Sequence, residues 1–268
     1  VRGLPKGDGW ATCTLGLAVC AQSVGNFPET MRRCRTVLRA GGAIARHHVY
    51  GAHLTLAVAH RRRGELERAL HHAWSAFELA ENSEENRQQC LINVAEISLR
   101  LGQAVAARNG FVVLLQQEQP ERNRIPAHAG LLEAETLIWQ ASRDVDTTSL
   151  RNRIDALLVD ADTCQQPYER IKALLGAFSA AVTIGWSEQE RRLDRRLEAE
   201  LVAAARSGTT FREFEFRRDS IRAQVASAEK AADLAPGEHG APEQKGIGAR
   251  TRKTLARLMA LSSIDDVT

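Results

Sequence analysis

Six of the eight histidines fall between His47 and His72: His47, His48, His53, His60, His71 and His72. Imidazole is the commonest metal ligand and the one side chain that titrates near neutrality unperturbed, so this cluster is the first place to look for chemistry. His53 and His60 are seven residues apart and would share one face of a helix, whereas His71 and His72 are adjacent and would diverge. A zinc site needs three or four donors converging at about 2 Å. The spacing favours half-buried packing histidines able to sense pH, and no metal is expected. The run Arg61-Arg62-Arg63 suits the C-terminal end of a helix, where the dipole favours cations. Arg191, Arg192, Arg195 and Arg196 interleave with Glu188, Glu190, Asp194 and Glu198, which reads as a solvated, salt-linked helix face. No Ser/His/Asp or Cys/His constellation, phosphate loop or carboxylate pair stands out. The glycines from 240 to 248 lack a following lysine-bearing turn. No catalytic residue and no cofactor is therefore expected.

Composition bounds what could position such groups. The chain has 268 residues, 44% hydrophobic and 26% charged, with aromatics at only 5% and seven prolines, a balance that points to helix packed on helix. The 36 basic and 33 acidic residues leave a net charge of +3, too near balance to argue for a nucleic-acid partner. No apolar run of about 18 residues is present, so no membrane span is expected. The N-terminus lacks a signal-peptide pattern, and Val1 in place of Met reads as a processed chain or an excerpt. Cys13, Cys20, Cys34, Cys90 and Cys164 are odd in number and form no Cys-x-x-Cys. Most fall where a packed helix would place a small core residue, which predicts buried thiols in a reducing, cytoplasmic compartment.

The stretch 52–79 reads as two amphipathic helices joined at Gly64. Leu56 and Ala57 lie on the inner face of the first, and Leu66, Ala69, Ala73 and Ala76 on that of the second. The same offsets occur around Gly25, with Leu17 and Ala18 before it and Phe27, Thr30, Cys34 and Val37 after it. They recur around Gly102, with Val94 and Ala95 before and Ala104, Ala107, Phe111 and Leu114 after. The turn glycines are spaced by 39 and then 38 residues. Asn26 and Ser83 are the predicted N-caps of the helices that follow them. A lone helix pair cannot bury its apolar stripe, so recurrence implies stacking of pairs. After residue 120 the pattern loosens. Helices are predicted at 129–140 and 150–159, separated by a polar loop at 142–148, and a fifth pair at 167–186 and 188–206. In the fifth pair Ser187 and Glu190 form a predicted capping box. Phe211, Phe214, Ile221, Val225 and Ala228 trace an apolar stripe on a helix over 209–234 that would cap the array. Residues 235–248, with their prolines and glycines, read as a flexible linker. Residues 249–262 read as a short basic amphipathic helix bearing Leu255, Leu258, Met259 and Leu261.

These residues make the chain resemble a tetratricopeptide (TPR) repeat protein, most closely over 10–118 and with helices longer than the standard repeat. The resemblance implies an all-α, TPR-like α-solenoid, a right-handed superhelix of about five helix pairs spanning 1–208. It also implies that His53 and His60 sit at packing positions. By the same resemblance Leu54, Val58, Arg61 and Arg62 face a concave groove that Asn93, Glu96 and Arg100 continue. Such a groove would grip a protein or peptide partner, with Asn93 clamping its backbone and the arginines holding carboxylates. A homodimer is an alternative use of the array. At the other end, Asp265, Val267 and Thr268 after an amphipathic helix resemble the opening of a GGDEF domain, the catalytic module of diguanylate cyclases. That resemblance implies the regulatory part of a bacterial signalling enzyme, with residues 249–268 leading into the catalytic domain. The Gly-Gly-Asp/Glu-Glu-Phe loop does not occur in these residues, so the chain as it stands is not expected to be an enzyme. The alternative is the TPR half of a transcription factor or a free-standing adaptor.

Overall fold

A computed structural model describes residues 6–80, 83–117, 121–143, 145–232 and 249–261. The described residues are helical almost throughout: α1 Asp8–Ser23, α2 Phe27–Leu38, α3 Arg46–Arg62, α4 Leu66–Leu79, α5 Glu84–Arg100, α6 Ala104–Gln116, α7 Glu121–Ser142, α8 Thr147–Thr163, α9 Pro167–Thr183, α10 Ser187–Arg206, α11 Arg212–Ala232 and α12 Ala249–Leu261. They belong to two compact units. The first comprises residues 1–117 and 247–268, the second residues 118–246.

In the first unit, consecutive helices pack in antiparallel pairs, α1 with α2, α3 with α4 and α5 with α6, and each pair stacks on the next through α2 on α3 and α4 on α5. The turn within each pair is one repeated device. Gly64 has φ of 75°, in the left-handed region that only glycine enters without steric cost. There its amide donates to the Arg61 carbonyl, and the amide of Glu65 reaches back to the His60 carbonyl at 3.0 Å. This is the Schellman closure of a helix C-terminus, which satisfies carbonyls the helix itself leaves free. Gly25 and Gly102 repeat it, with φ of 77° and 74°. The amides of Asn26 and Gln103 donate to the carbonyls of Ala21 and Ser98. Both predicted caps form, since Asn26 Oδ1 accepts the Glu29 amide and Ser83 Oγ the Asn86 amide, each at 3.3 Å.

Most of the predicted core positions are buried, while Phe27, Leu66 and Ala104 are only half-buried. Ala18, Leu56, Ala57, Ala69, Ala73, Ala76, Val94, Ala95, Ala107, Phe111 and Leu114 are all buried. Alanine at so many of these contacts lets helix backbones approach closely, which larger side chains would prevent. Leu17 departs from the pattern. It is 41% exposed, because α1 has no preceding helix pair to pack against among the described residues. Two of the cysteines depart with it: Cys34, Cys90 and Cys164 are buried, but Cys13 and Cys20 lie exposed on the same helix as Leu17. The helix α12 also belongs to this unit and packs on α4 and α6. It buries Thr251, Thr254 and Leu255, and Arg257 Nη1 pairs with Glu78 Oε1 at 2.5 Å.

In the second unit, α7, α8 and α9 pack on one another, and α10 and α11 pack on α9. Leu193, Leu197, Leu201 and Ala204 give α10 one apolar face, spaced as a helix requires, and Phe214 of α11 joins the same core. Phe211 and Ile221 pack at its edge, as the predicted stripe requires. Ala228 lies outside the residues whose side chains are described, as does the predicted linker at 235–248. The predicted Ser187 capping box does not form. Trp186 is the N-cap, its carbonyl accepts the Glu190 amide, and no side chain caps the helix. The reason is a further Schellman turn: Gly185 has φ of 71° and the Trp186 amide donates to the Ala181 carbonyl at 2.9 Å. That geometry starts the helix one residue earlier than Ser187 would.

Candidate functional site

The histidines of α3 and α4 meet across the pair. His53 Nδ1 lies 3.0 Å from His72 Nδ1, so one ring must present N–H and the other a lone pair. His60 stacks on His72 with ring centroids 5.4 Å apart, and His60 Nδ1 lies 2.7 Å from Glu65 Oε2. His71 points out to solvent while His72 turns inward, as adjacent positions on a helix should. Burial, followed by the neighbouring imidazoles His53, His60 and His71, pushes His72 down to about 3. Burial also lowers His53, and it lowers His60 against the opposing pull of Glu65. Burial thus favours the neutral form of His53, His60 and His72 where they meet. Among the described residues no three His, Cys, Asp or Glu side chains converge as metal ligands would. His48 is packed separately, 3.4 Å through Nε2 from Asp8 Oδ1. Asp8 also accepts the Ala45 amide at 2.7 Å, joining the start of α1 to the start of α3.

The predicted groove residues distribute as follows. Leu54 and Val58 are half-buried on α3. Arg61 Nη1 pairs with Glu96 Oε2 at 2.7 Å, a bond that ties α3 to α5, the first helices of successive pairs. Asn93 is buried and its amide donates to the Gln89 carbonyl at 3.0 Å, within its own helix. Arg62 and Arg100 are exposed and stand at the same repeat position in successive pairs.

A polar group that the sequence did not single out lies in the second unit, between α7 and α8. Asp160, only 6% exposed, takes Arg124 Nη2 at 2.6 Å on one oxygen and has His128 Nδ1 3.3 Å from the other. Burial lowers His128, with Asp160 opposing and the nearby arginines adding to the shift. Glu135, buried on α7, pairs with Arg153 of α8. The signal was the i, i+4 spacing of Arg124 and His128 on α7, but their shared partner Asp160 on α8 lies more than 30 residues away in sequence.

Helix pairs closed by repeated Schellman turns and stacked through small residues define a TPR-like repeat domain. No protein-family model matches the chain, and no curated protein matches it. Among solved structures, it is similar to a Podosopora anserina protein described as a kinesin light chain with nearly identical TPR-like repeats. The TM-score is 0.58 at 15% identity, over 73% of this chain and 96% of that one. At that identity the likeness speaks for the fold, and function has to be argued from the site. No helix among the described residues is long and apolar enough to cross a membrane.

Proposed function

We propose that this chain is a non-catalytic interaction module that grips an extended, acidic peptide or protein segment along the first helices of its repeats. The observation that carries the reading is the Arg61–Glu96 bridge between α3 and α5, flanked by Arg62 and Arg100 at equivalent repeat positions. The bridge holds the two helices in register, and the exposed guanidiniums beside it offer planar, bidentate recognition of carboxylates. Leu54 and Val58 supply half-buried apolar surface on the same helix. Glu96 neutralises Arg61, which leaves carboxylate capture to Arg62 and Arg100. Asn93 holds its own helix carbonyl through one amide hydrogen and has a second to offer a peptide backbone. The test is binding to an array of acidic peptides. Arg62→Glu with Arg100→Glu should weaken capture at least about tenfold, the scale of losing two charge-assisted contacts, while leaving the melting temperature near that of the unaltered chain. Equal binding by the double variant would overturn the groove assignment.

The finer reading, that the module regulates a diguanylate cyclase, is supported by the resemblance at Asp265, Val267 and Thr268 alone. Those residues lie outside the described ones, and none of the comparisons adds to it. Its test is the sequence encoded directly after Thr268. Gly-Leu followed by an Asn-Arg pair supports the cyclase, and any other continuation removes it in favour of a transcription-factor half or an adaptor.

A further inference from the structure

The helix α12 sits on α4 and α6 through slight but specific contacts. It has 13 residues, about the length at which an isolated helix is marginal in water. Among its described side chains Thr251, Thr254 and Leu255 are buried, and Leu255 is the one large apolar anchor among them. The side chains of the Arg257–Glu78 pair are 46% and 52% exposed, which leaves the pair open to screening. The face beneath is nonetheless built to receive it. On α4 the buried indole of Trp74 donates Nε1–H to Glu78 Oε1 at 2.9 Å, and Arg257 Nη1 donates to that same oxygen. Trp74 thus orients the carboxylate that takes the arginine, while Asn109 of α6 donates to Met259 Sδ. The repeat presents the corresponding face between α2 and α4. Aligned on the turn glycines, Arg35 stands there for Trp74, Arg39 for Glu78 and His71 for Asn109. Two guanidiniums at those positions would repel Arg257, so charge selects one face of the array over its near-copy.

We propose that the α4–α6 face is a second binding site, for a basic amphipathic helix, and that α12 closes it in cis until a partner supplies such a helix. The partner helix carries the pattern of α12: a leucine, an arginine two residues on and a methionine four on, as Leu255, Arg257 and Met259 are spaced. Membership of the same chain presents α12 at an effective concentration of about millimolar, which holds even a weak contact closed. A free helix displaces it once its own concentration, relative to its dissociation constant, outweighs that advantage. The site lies on the second helices of the pairs and uses none of the groove residues on α3 and α5. Failure of the groove assignment therefore leaves this one standing, and the reverse.

The probe is a fluorescein-labelled peptide of residues 249–261, titrated with the full 268-residue chain and read by anisotropy. It should bind the Leu255→Asp chain, whose α12 no longer competes, at least about tenfold more tightly than the parent. Leu255→Ala, which buries no charge, should fall between the two. Adding Glu78→Arg to the Leu255→Asp chain should weaken binding at least about threefold, the scale of one exposed ion pair. A peptide carrying Arg257→Glu should recover that loss. Equal affinity for the parent and the Leu255→Asp chain would seat the peptide elsewhere and overturn the proposal. So would no binding to either chain at about 1 mM, the effective concentration that holds α12 in cis. A Glu78→Arg loss that the charge-reversed peptide fails to recover would overturn it as well.

Discussion

At the residue scale the histidine stack sets the pH response. His72 is held down to about 3 from an ordinary value of 6.5, chiefly by burial and then by its imidazole neighbours, while His53 and His60 are lowered by burial. Unfolding exposes all three rings to water, where they take protons near pH 6.5. Between that value and the folded value the unfolded chain binds more protons than the folded one, so stability is full above about pH 6.5 and falls as pH falls. One such group lowers stability by up to about 1.4 kcal/mol per pH unit in that window. His72→Gln keeps a side chain able to hydrogen-bond His53 and removes one titrating ring. Its melting temperature should fall less steeply between pH 6.5 and 5 than that of the parent, and an unchanged slope would show that the stack does not govern the response. The spacing of His53 and His60 made a shared, half-buried face legible. It could not show His72 closing on both, because that contact depends on how α4 is rolled against α3.

At the element scale the turns carry the fold. Their glycines were readable at positions 25, 64 and 102 because both the spacing and the flanking small residues repeat. Gly185 and Gly208, with φ of 71° and 86°, make the same closure but escape a search for a fixed period, since the helices before and between them differ in length. Arg143 makes the left-handed turn after α7 without glycine, at φ of 61°, with its guanidinium 3.6 Å from the Trp139 ring centroid. That stacking offsets a backbone cost of about 1–2 kcal/mol for a non-glycine residue. Gly64 has no such compensation. An added Cβ there would meet no neighbour, so Gly64→Ala isolates the backbone term. It should cost about 1 kcal/mol or more in urea unfolding. Gly42→Ala, at an ordinary φ and equally open, should be neutral or slightly stabilising. Equal effects at the two positions would mean that the left-handed turn is not what glycine supplies. The Ser187 box shows the converse error, where a correct local signal was overruled by the turn one residue upstream.

At the scale of the whole molecule, the chain leaves its first unit after residue 117 and returns to it with α12. Periodicity made the three stacked pairs legible, whereas the docking of α12 was not, because a short helix with Leu255 and Met259 fits many apolar surfaces equally well. What selects this one is specific and long-range: Arg257 reaches Glu78 of α4, and Asn109 of α6 donates to Met259 Sδ at 3.6 Å. The buried anchor is Leu255, 7% exposed. Removing its burial forfeits about 1.5–3 kcal/mol, and placing a carboxylate there adds a desolvation cost. The exposed ion pair contributes no more than about 1 kcal/mol, so it orients the helix rather than holding it. Leu255→Asp should therefore release α12, seen as faster amide exchange across α12 and along the sides of α4 and α6 that it covers. Exchange in α1, outside the packing of α12 on α4 and α6, should be unchanged. Arg257→Ala alone should leave α12 docked. If Leu255→Asp leaves exchange in α4 and α6 as slow as before, α12 is not a closing element of the first unit, and that unit ends with its third pair.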